Sequence, residues 1–507
     1  MTATVSTATI LGARGHPVTV EVHVSTHGLP GFTMLGLPDE SCREAKDRVR
    51  AAVSSSGIKW PDKKVTVNLA PPQFRKTGSG LDVAIAIGCL VGFELIPADV
   101  VQGMAFAGEL GLDGTIRRVP GIAPMVGVRP ELDWVVPADA VNEARAASRS
   151  RVRGVSTLTR LIGALTGVDD WPEPVVAPSG FVEEEVHDLA DVKGQHQARL
   201  ALELAAAGGH HLLFVGSPGA GKTMLARRLP GLLPDLDPAT ALEATMVHSA
   251  AGVALPDGGL LRRPPFRAPH HTSSIGALVG GGSHHLRPGE ISLAHGGVLF
   301  LDEMGQFSPK VLDGLREALE SGQVMVGRVE QIRVPMPARF QLIGATNPCP
   351  CGAEAPRDCV CEERVRHRHL ARLSGPLLDR FDLRVPVRRP AVGEMFDGTP
   401  GESTLAVGAR VAAARALAIE RTGRLNAELD DAQLHEHAPL TDEADGLLRH
   451  EMESGRLTAR GYHRVRRVAR TLADLGGEVD DPISEACVAG ALAMRSPIGV
   501  AAEQEAA

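Results

Sequence analysis

Aromatic side chains are scarce in this 507-residue chain: Phe, Trp and Tyr together make up 3% of it, with a single Tyr. Its cores must therefore be filled by Val, Leu, Ile and Ala. No apolar stretch is long enough to span a bilayer. The first ten residues, MTATVSTATI, lack the basic start and apolar run of a secretory signal, so a cytoplasmic address is expected. Positive charge is also in deficit. With a net charge of -8 the chain has no global attraction for nucleic acid, and any such contact needs a local basic surface. Seven cysteines in so long a chain point to reduced thiols or a metal site rather than a disulfide frame. Apolar residues at 43% and charged residues at 22% are ordinary for a soluble protein, and the length calls for two to four domains.

Three blocks emerge along the chain, over residues 1–170, 187–390 and 391–507, with a proline-, glycine- and acid-rich linker at 171–186. In the first block, Val18, Val20, Val22 and Val24 alternate with polar residues and predict a strand. A helix is expected around Ser41 to Ser55, a strand at Val65 to Leu69, and an apolar helix from Leu81. The middle block alternates strands and helices. The last is rich in Ala, Leu, Arg and Glu at helical spacing, as in Leu405 to Arg421 and Arg464 to Leu475.

The densest chemistry begins where the apolar run His211 to Val215 leads into GSPGAGKT. Gly216, Ser217, Pro218, Gly219, Ala220, Gly221, Lys222 and Thr223 fit a phosphate-binding loop between strand and helix. Glycines let backbone amides curl round phosphates, and the helix presents its positive end. Lys222 is expected on the β- and γ-phosphates of ATP, and the Thr223 hydroxyl on Mg²⁺. Downstream, GGVLFLDE (Gly296 to Glu303) reads as a buried strand delivering two acids to its edge. Asp302 is expected to hold Mg²⁺ and Glu303 to polarise the attacking water, although a solvated acidic pair has the same local pattern. A further strand, Phe340 to Ala345, ends near Asn347, which could orient that water or simply make a turn before Pro348. Arg380, in LSGPLLDRFDL, could neutralise charge on a neighbouring subunit's γ-phosphate. Arg460 is the first choice for a lid arginine and Arg464 the second; both could also be solvated helix residues.

Taken together, GSPGAGKT, GGVLFLDE, ATNPCPCG and SGPLLDRFDL resemble the magnesium-chelatase-like AAA+ ATPases of the ComM/YifB family. The first block, through KTGSGLDVAIAI and GELGLDGTIRRVPG, resembles the Lon-protease-like fold. The implied fold is α/β: an AAA+ P-loop core, a Lon-protease-like (S5-like) α+β N-terminal domain and a helical C-terminal lid. The resemblance implies a homo-hexameric ring with ATP at subunit interfaces, Arg380 acting in trans, and Val192 and Gly194 near the adenine. It also implies a DNA motor that promotes branch migration during recombination, with branched or duplex DNA as partner and no membrane. The Ser–Lys pair of proteolytic members is not matched: Gly80 aligns with the serine, and Arg117-Arg118 stands in the lysine region.

Two segments suit a central pore. Gln323 to Val334 reads as a hairpin with Arg328 near its tip and Arg333 on the return strand. Arg262 to Arg287 is rich in Arg and His, Arg267 among them, and could track phosphates or be an ordinary solvated loop. Cys349, Cys351, Cys359 and Cys361 form C-x-C-x₇-C-x-C, with the number and softness of donors for structural Zn²⁺, or else four reduced thiols. Such a zinc is expected to stiffen the loop leading to Arg380, so that removing any one thiol loosens that loop without touching the phosphate grip. Cys42, Cys89 and Cys487 read as isolated core residues. Competing functions are a magnesium-chelatase motor subunit, an ATP-dependent Lon-like peptidase and a chaperone-like regulator.

Overall fold

The computed structural model describes residues 2–27, 29–173, 180–183, 185–282, 286–327, 333–353, 359–372, 375–397, 400–478 and 481–496. The first 155 residues build a mixed seven-stranded sheet from β1 (Thr2–Leu11), β2 (Arg14–Ser25), β3 (Gly31–Leu35), β4 (Lys64–Ala70), β5 (Met104–Phe106), β6 (Asp133–Pro137) and β7 (Val152–Val155). Its order is β3-β4-β2-β1-β5-β6-β7. The alternation predicted for β2 is realised, with Val18, Val20, Val22 and Val24 all buried on one face. Against that face lies an all-buried helix, α2 (Asp82–Gly92), and beyond it α1 (Glu40–Ser55). Gly88 and Gly92 allow the approach: a Cβ on either would stand 2.7 Å and 2.8 Å from the methyls of Val22 and Val24. Cys42 and Cys89 are buried and Cys487 is half-buried.

The second sheet is parallel and runs β9-β10-β13-β8-β14. Its members are β8 (Leu212–Val215), β9 (Phe266–Arg267), β10 (Val298–Leu301), β13 (Gln341–Thr346) and β14 (Leu383–Pro386). Between β10 and β13 in sequence, β11 (Gln323–Gly327) and β12 (Arg333–Pro337) form the expected antiparallel hairpin, while Arg328, expected near its tip, lies outside the described residues. Strands β10 and β13 are buried throughout, as parallel strands covered on both faces must be. Helix α3 (His196–Gly208) covers one face, α4 (Lys222–Ala226) follows the phosphate-loop sequence, and α6 (Pro309–Ser321) covers the other side, after α5 (Pro238–Ala251).

Helix α5 also joins the two sheets. Leu242 and Met246 pack into the cluster of Val126, Trp134 and Ala144. Ser249 receives the Ala123 N–H and bonds Glu143, which in turn pairs with Arg118. The β1–β2 turn reaches the hairpin base, where Gly12 leaves room for Met336 only because it has no Cβ. After α7 (Glu363–Arg372), the C-terminal part is helical as predicted, with α8 (Thr404–Thr422) and α9 (Ala459–Gly476) packed on α3. Within 171–186, Trp171 stacks under the Arg153 guanidinium, and the described residues form no helix or strand.

His211 closes the lower end of β8. Its Nδ1 accepts the Leu342 N–H at 3.0 Å, so the ring must stay neutral to keep that bond. Burial pushes its pKa down to about 4, Asp382 opposing and Arg464 reinforcing the shift. A base with a depressed folded pKa stays neutral in the fold while the unfolded chain takes up a proton. The stability it contributes is therefore present above its ordinary value of 6.5 and is lost as pH falls towards 4. Replacing His211 by Asn, whose Oδ1 accepts without titrating, should leave a melting-temperature deficit that narrows between about pH 7 and about pH 4.5. A deficit that stays constant across that range contradicts the assignment.

Candidate functional site

At the upper end of β8 the chain turns at Gly216, where a Cβ would stand 2.1 Å from the Val387 carbonyl oxygen. Gly219 and Gly221 adopt φ of 77° and 96°, conformations that side chains rarely accept. The loop closes on Lys222, the first residue of α4. Its ammonium donates to Gly216 O at 2.7 Å, Ser217 O at 2.9 Å and Asn347 Oδ1 at 3.0 Å. Burial lowers its pKa, and Asp302 and Glu303 oppose that shift. Thr223 Oγ1 donates to Asp302 Oδ2 at 2.6 Å. Strands β8, β10 and β13 thus bring Lys222, Thr223, Asp302 and Asn347 together, as their sequence positions predicted.

Glu303 follows Asp302 in a left-handed conformation, φ 49°, which is costly for a residue with a Cβ. Its carboxylate accepts from Gln306 Nε2 at 2.9 Å and lies 3.6 Å from His271 Nδ1. Neither contact was legible: Gln306 depends on a turn after β10, and His271 comes from a separate segment. Glu303 N donates to Asp302 Oδ1 at 2.9 Å, tying the two acids into one turn.

Val192 is fully buried and Gly194 has φ 61°. The next residue, Gln195, donates from Nε2 to the Ala220 carbonyl at 3.2 Å, which sets this segment beside the phosphate-loop sequence. Arg389 braces the same loop by donating to Pro218 O at 3.0 Å. The carboxylate of Glu394 fills the space over Gly194, with Oε2 2.9 Å from where a Cβ would stand.

The arginines gather at the other edge. Because Leu212 pairs with Leu383 and Val215 with Pro386, residues just before β14 lie level with His211. Arg380 pairs there with Glu320 of α6. Arg464 pairs with the fully buried Asp382 and donates to Arg380 O at 3.0 Å. Burial alone would raise the Asp382 pKa, but His210, whose Nδ1 lies 3.4 Å away, and the Arg464 charge hold it far below the carboxylate range. Arg460 is 75% exposed and 3.9 Å from Asp379. Both lid candidates therefore join Arg380, away from the phosphate loop of their own chain. Four residues of β8 separate these groups, about 13 Å at the usual strand rise.

Arg267 does not lie in a free cationic loop as expected. It sits in β9 and forms a two-pronged pair with Glu290, at 2.6 and 2.8 Å. Arg333 is exposed on β12, opposite Gly327. In the first block, Ser79 bonds Glu109, and the buried Lys76 ammonium bonds the carbonyls of Pro71 and Phe74, so no Ser–Lys pair forms between them.

The four thiols predicted to cluster do so. The Sγ atoms of Cys349, Cys351, Cys359 and Cys361 all lie within 4.8 Å of one another. Four sulfurs at zinc bond length from a shared centre would be about 3.8 Å apart, so the set fits a tetrahedral soft-metal site. The hydrogen bond from Cys349 pulls the Cys351 pKa down to about 6, while burial pushes Cys349 up to about 12. The cluster's loop also meets the phosphate-loop sequence, a contact the sequence did not announce: Gly352 packs on Pro218, with its missing Cβ 2.4 Å from Pro218 Cδ.

Comparison with known proteins agrees with this geometry. Residues 188–395 match the family model described as magnesium chelatase, subunit ChlI, and 401–495 match the model of that subunit's C-terminal part. Residues 20–139 match a model described as subunit ChlI of Mg-chelatase. The chain is 44% identical to an uncharacterised Mycobacterium tuberculosis protein, over 96% of this chain and 97% of that one. It is 40% identical to the competence protein ComM of Haemophilus influenzae, with 92% of each chain covered. It is also 41% identical to YifB of Escherichia coli, with 93% of each covered. The chain thus belongs to the magnesium-chelatase-like ComM/YifB family of AAA+ proteins.

Proposed function

We propose that the chain is one protomer of an ATP-hydrolysing ring, a homo-hexamer in which each nucleotide lies between neighbours. The observation that carries this reading is the division of the site. Lys222, Thr223, Asp302, Glu303 and Asn347 converge at one sheet edge, and Arg380 and Arg460 stand at the opposite one. In this reading the loop amides and Lys222 grip the β- and γ-phosphates, and Val192 and Gly194 line the adenine. Mg²⁺, held by the Thr223 hydroxyl and Asp302, supplies charge neutralisation at the phosphates. The Thr223–Asp302 contact of 2.6 Å puts two oxygen donors where a hard cation needs them. Glu303 takes the proton of the attacking water, Asn347 orients that water, and Arg380 and Arg460 meet the neighbour's developing charge.

The work done is remodelling of DNA, by branch migration during recombination. Support comes from the 40% identity to a competence protein and from the exposed Arg333 on a hairpin beside the core sheet. Arg328 directly follows β11 in sequence, and Arg267, although paired with Glu290, lies in the second pore segment beside the exposed Arg262, Arg263 and Arg287. With Phe266 the one Phe, Tyr or Trp in that stretch, contact rests on phosphate charge more than on base stacking. The four-cysteine cluster holds structural Zn²⁺, and the protein works in the cytoplasm. A magnesium-chelatase motor subunit is the second reading, favoured by the family models that span both the core and the C-terminal helices.

Steady-state ATPase rates with and without forked or four-way DNA separate these readings. We expect stimulation that falls with added salt and is lost in an Arg328→Ala, Arg333→Ala double variant. No stimulation by any DNA form leaves the chelatase-type reading in place. Lys222→Ala should lower turnover by about a hundredfold or more, while Glu303→Gln should keep nucleotide binding and lose turnover. Hydrolysis persisting in either clean variant contradicts the assigned site.

A further inference from the structure

The cysteine cluster does more than fold its own loop. Strand β13 delivers Asn347 to the Lys222 ammonium, and Cys349 follows two residues later. Gly352, at φ 71°, then presses on Pro218 of the phosphate-loop sequence. Beyond Cys361 the chain enters α7, which turns His369 back onto the same place. His369 Nε2 lies 3.0 Å from the Asn347 carbonyl oxygen. Its Cε1 stands 2.9 Å from where a Gly305 Cβ would be, two residues after Glu303. Three parts of the nucleotide site are therefore touched by a segment whose two arms meet at the four sulfurs and again where His369 reaches Asn347.

Without an ion, four thiols so close must share protons in weak S–H contacts, such as those at 3.1 Å between Cys349 and Cys351 and 3.6 Å between Cys351 and Cys359. With one soft divalent cation they become a rigid tetrahedral crosslink, and binding releases their protons. We propose that the metal at this cluster is the clamp that positions Asn347 and Pro218, so that its occupancy sets how tightly the site binds nucleotide and how fast it turns over. This rests on the zinc reading of the cluster given above. It makes the loop a metal-dependent control element of the ATPase rather than a remote staple.

The test uses the full chain and zinc itself. Metal content, affinity for a fluorescent ADP, ATP turnover and far-UV circular dichroism are measured as purified, after stripping with a mercurial and chelator followed by thiol reductant, and after reloading with Zn²⁺. We expect one zinc per chain, a fall in turnover of roughly tenfold or more on stripping with the dichroism unchanged, and recovery on reloading. A Gly352→Ala variant should retain its zinc and bind nucleotide several-fold more weakly, because its Cβ displaces Pro218. Full turnover by verified zinc-free protein, or parental nucleotide affinity in Gly352→Ala, overturns the clamp while leaving the metal site intact. Failure to bind or take up zinc removes the metal reading itself, and the clamp with it.

Discussion

The register of a single strand governs the rest of this molecule. Strand β8 pairs with β13 on one side and β14 on the other, both in parallel. Parallel pairing sends all three chains out at the same edge, so the phosphate-loop sequence, Asn347 and, through β10, Asp302 and Glu303 are forced together. It equally forces the residues that enter β14, including Arg380, to the far edge. One copy of the chain therefore holds the two sets at opposite edges of its sheet, which is the arrangement the proposed shared site requires.

Charge burial holds the far edge in shape. Asp382 is fully buried, so its ionised form would be costly if it stood alone. Arg464 of α9 and His210 of the core supply the compensation, and Arg495 adds donors to the carbonyls of Phe381 and Asp382 at 3.1 Å. A buried pair of this kind adds little net stability, but breaking it by removing one partner is expensive, of the order of 3–5 kcal/mol. Its consequence here is geometric: Arg464 of α9 and Arg495 are tied directly to the turn that carries Arg380. The backbone of Arg380 is tied to α9, and its guanidinium is parked on Glu320.

What could be read from the sequence was local. The strand–loop–helix at His211 to Thr223, the acid-tipped strand at Gly296 to Glu303 and the alternation in β2 carry their geometry in their own spacing. The hairpin at Gln323 to Val334 and the helices of the last block were legible for the same reason. What could not be read depends on partners far along the chain. His271 beside Glu303, His369 on Asn347 and Gly352 against Pro218 have no period or motif; each is a meeting fixed by packing. The pairing of Arg267 was not legible because its partner Glu290 lies 23 residues away. The cysteines show both sides: softness and number announced the cluster, while its contact with the phosphate-loop sequence needed the fold.

The divided site is tested most directly by mixing two inactive proteins. Lys222→Ala protomers lack the phosphate grip but keep Arg380, and Arg380→Ala protomers have the reverse. Each alone should hydrolyse ATP barely above background. Co-assembled in equal amounts they should regain substantial turnover, because some interfaces then pair an intact cradle with an intact arginine. No recovery in mixed rings of verified composition would contradict hydrolysis between neighbouring subunits.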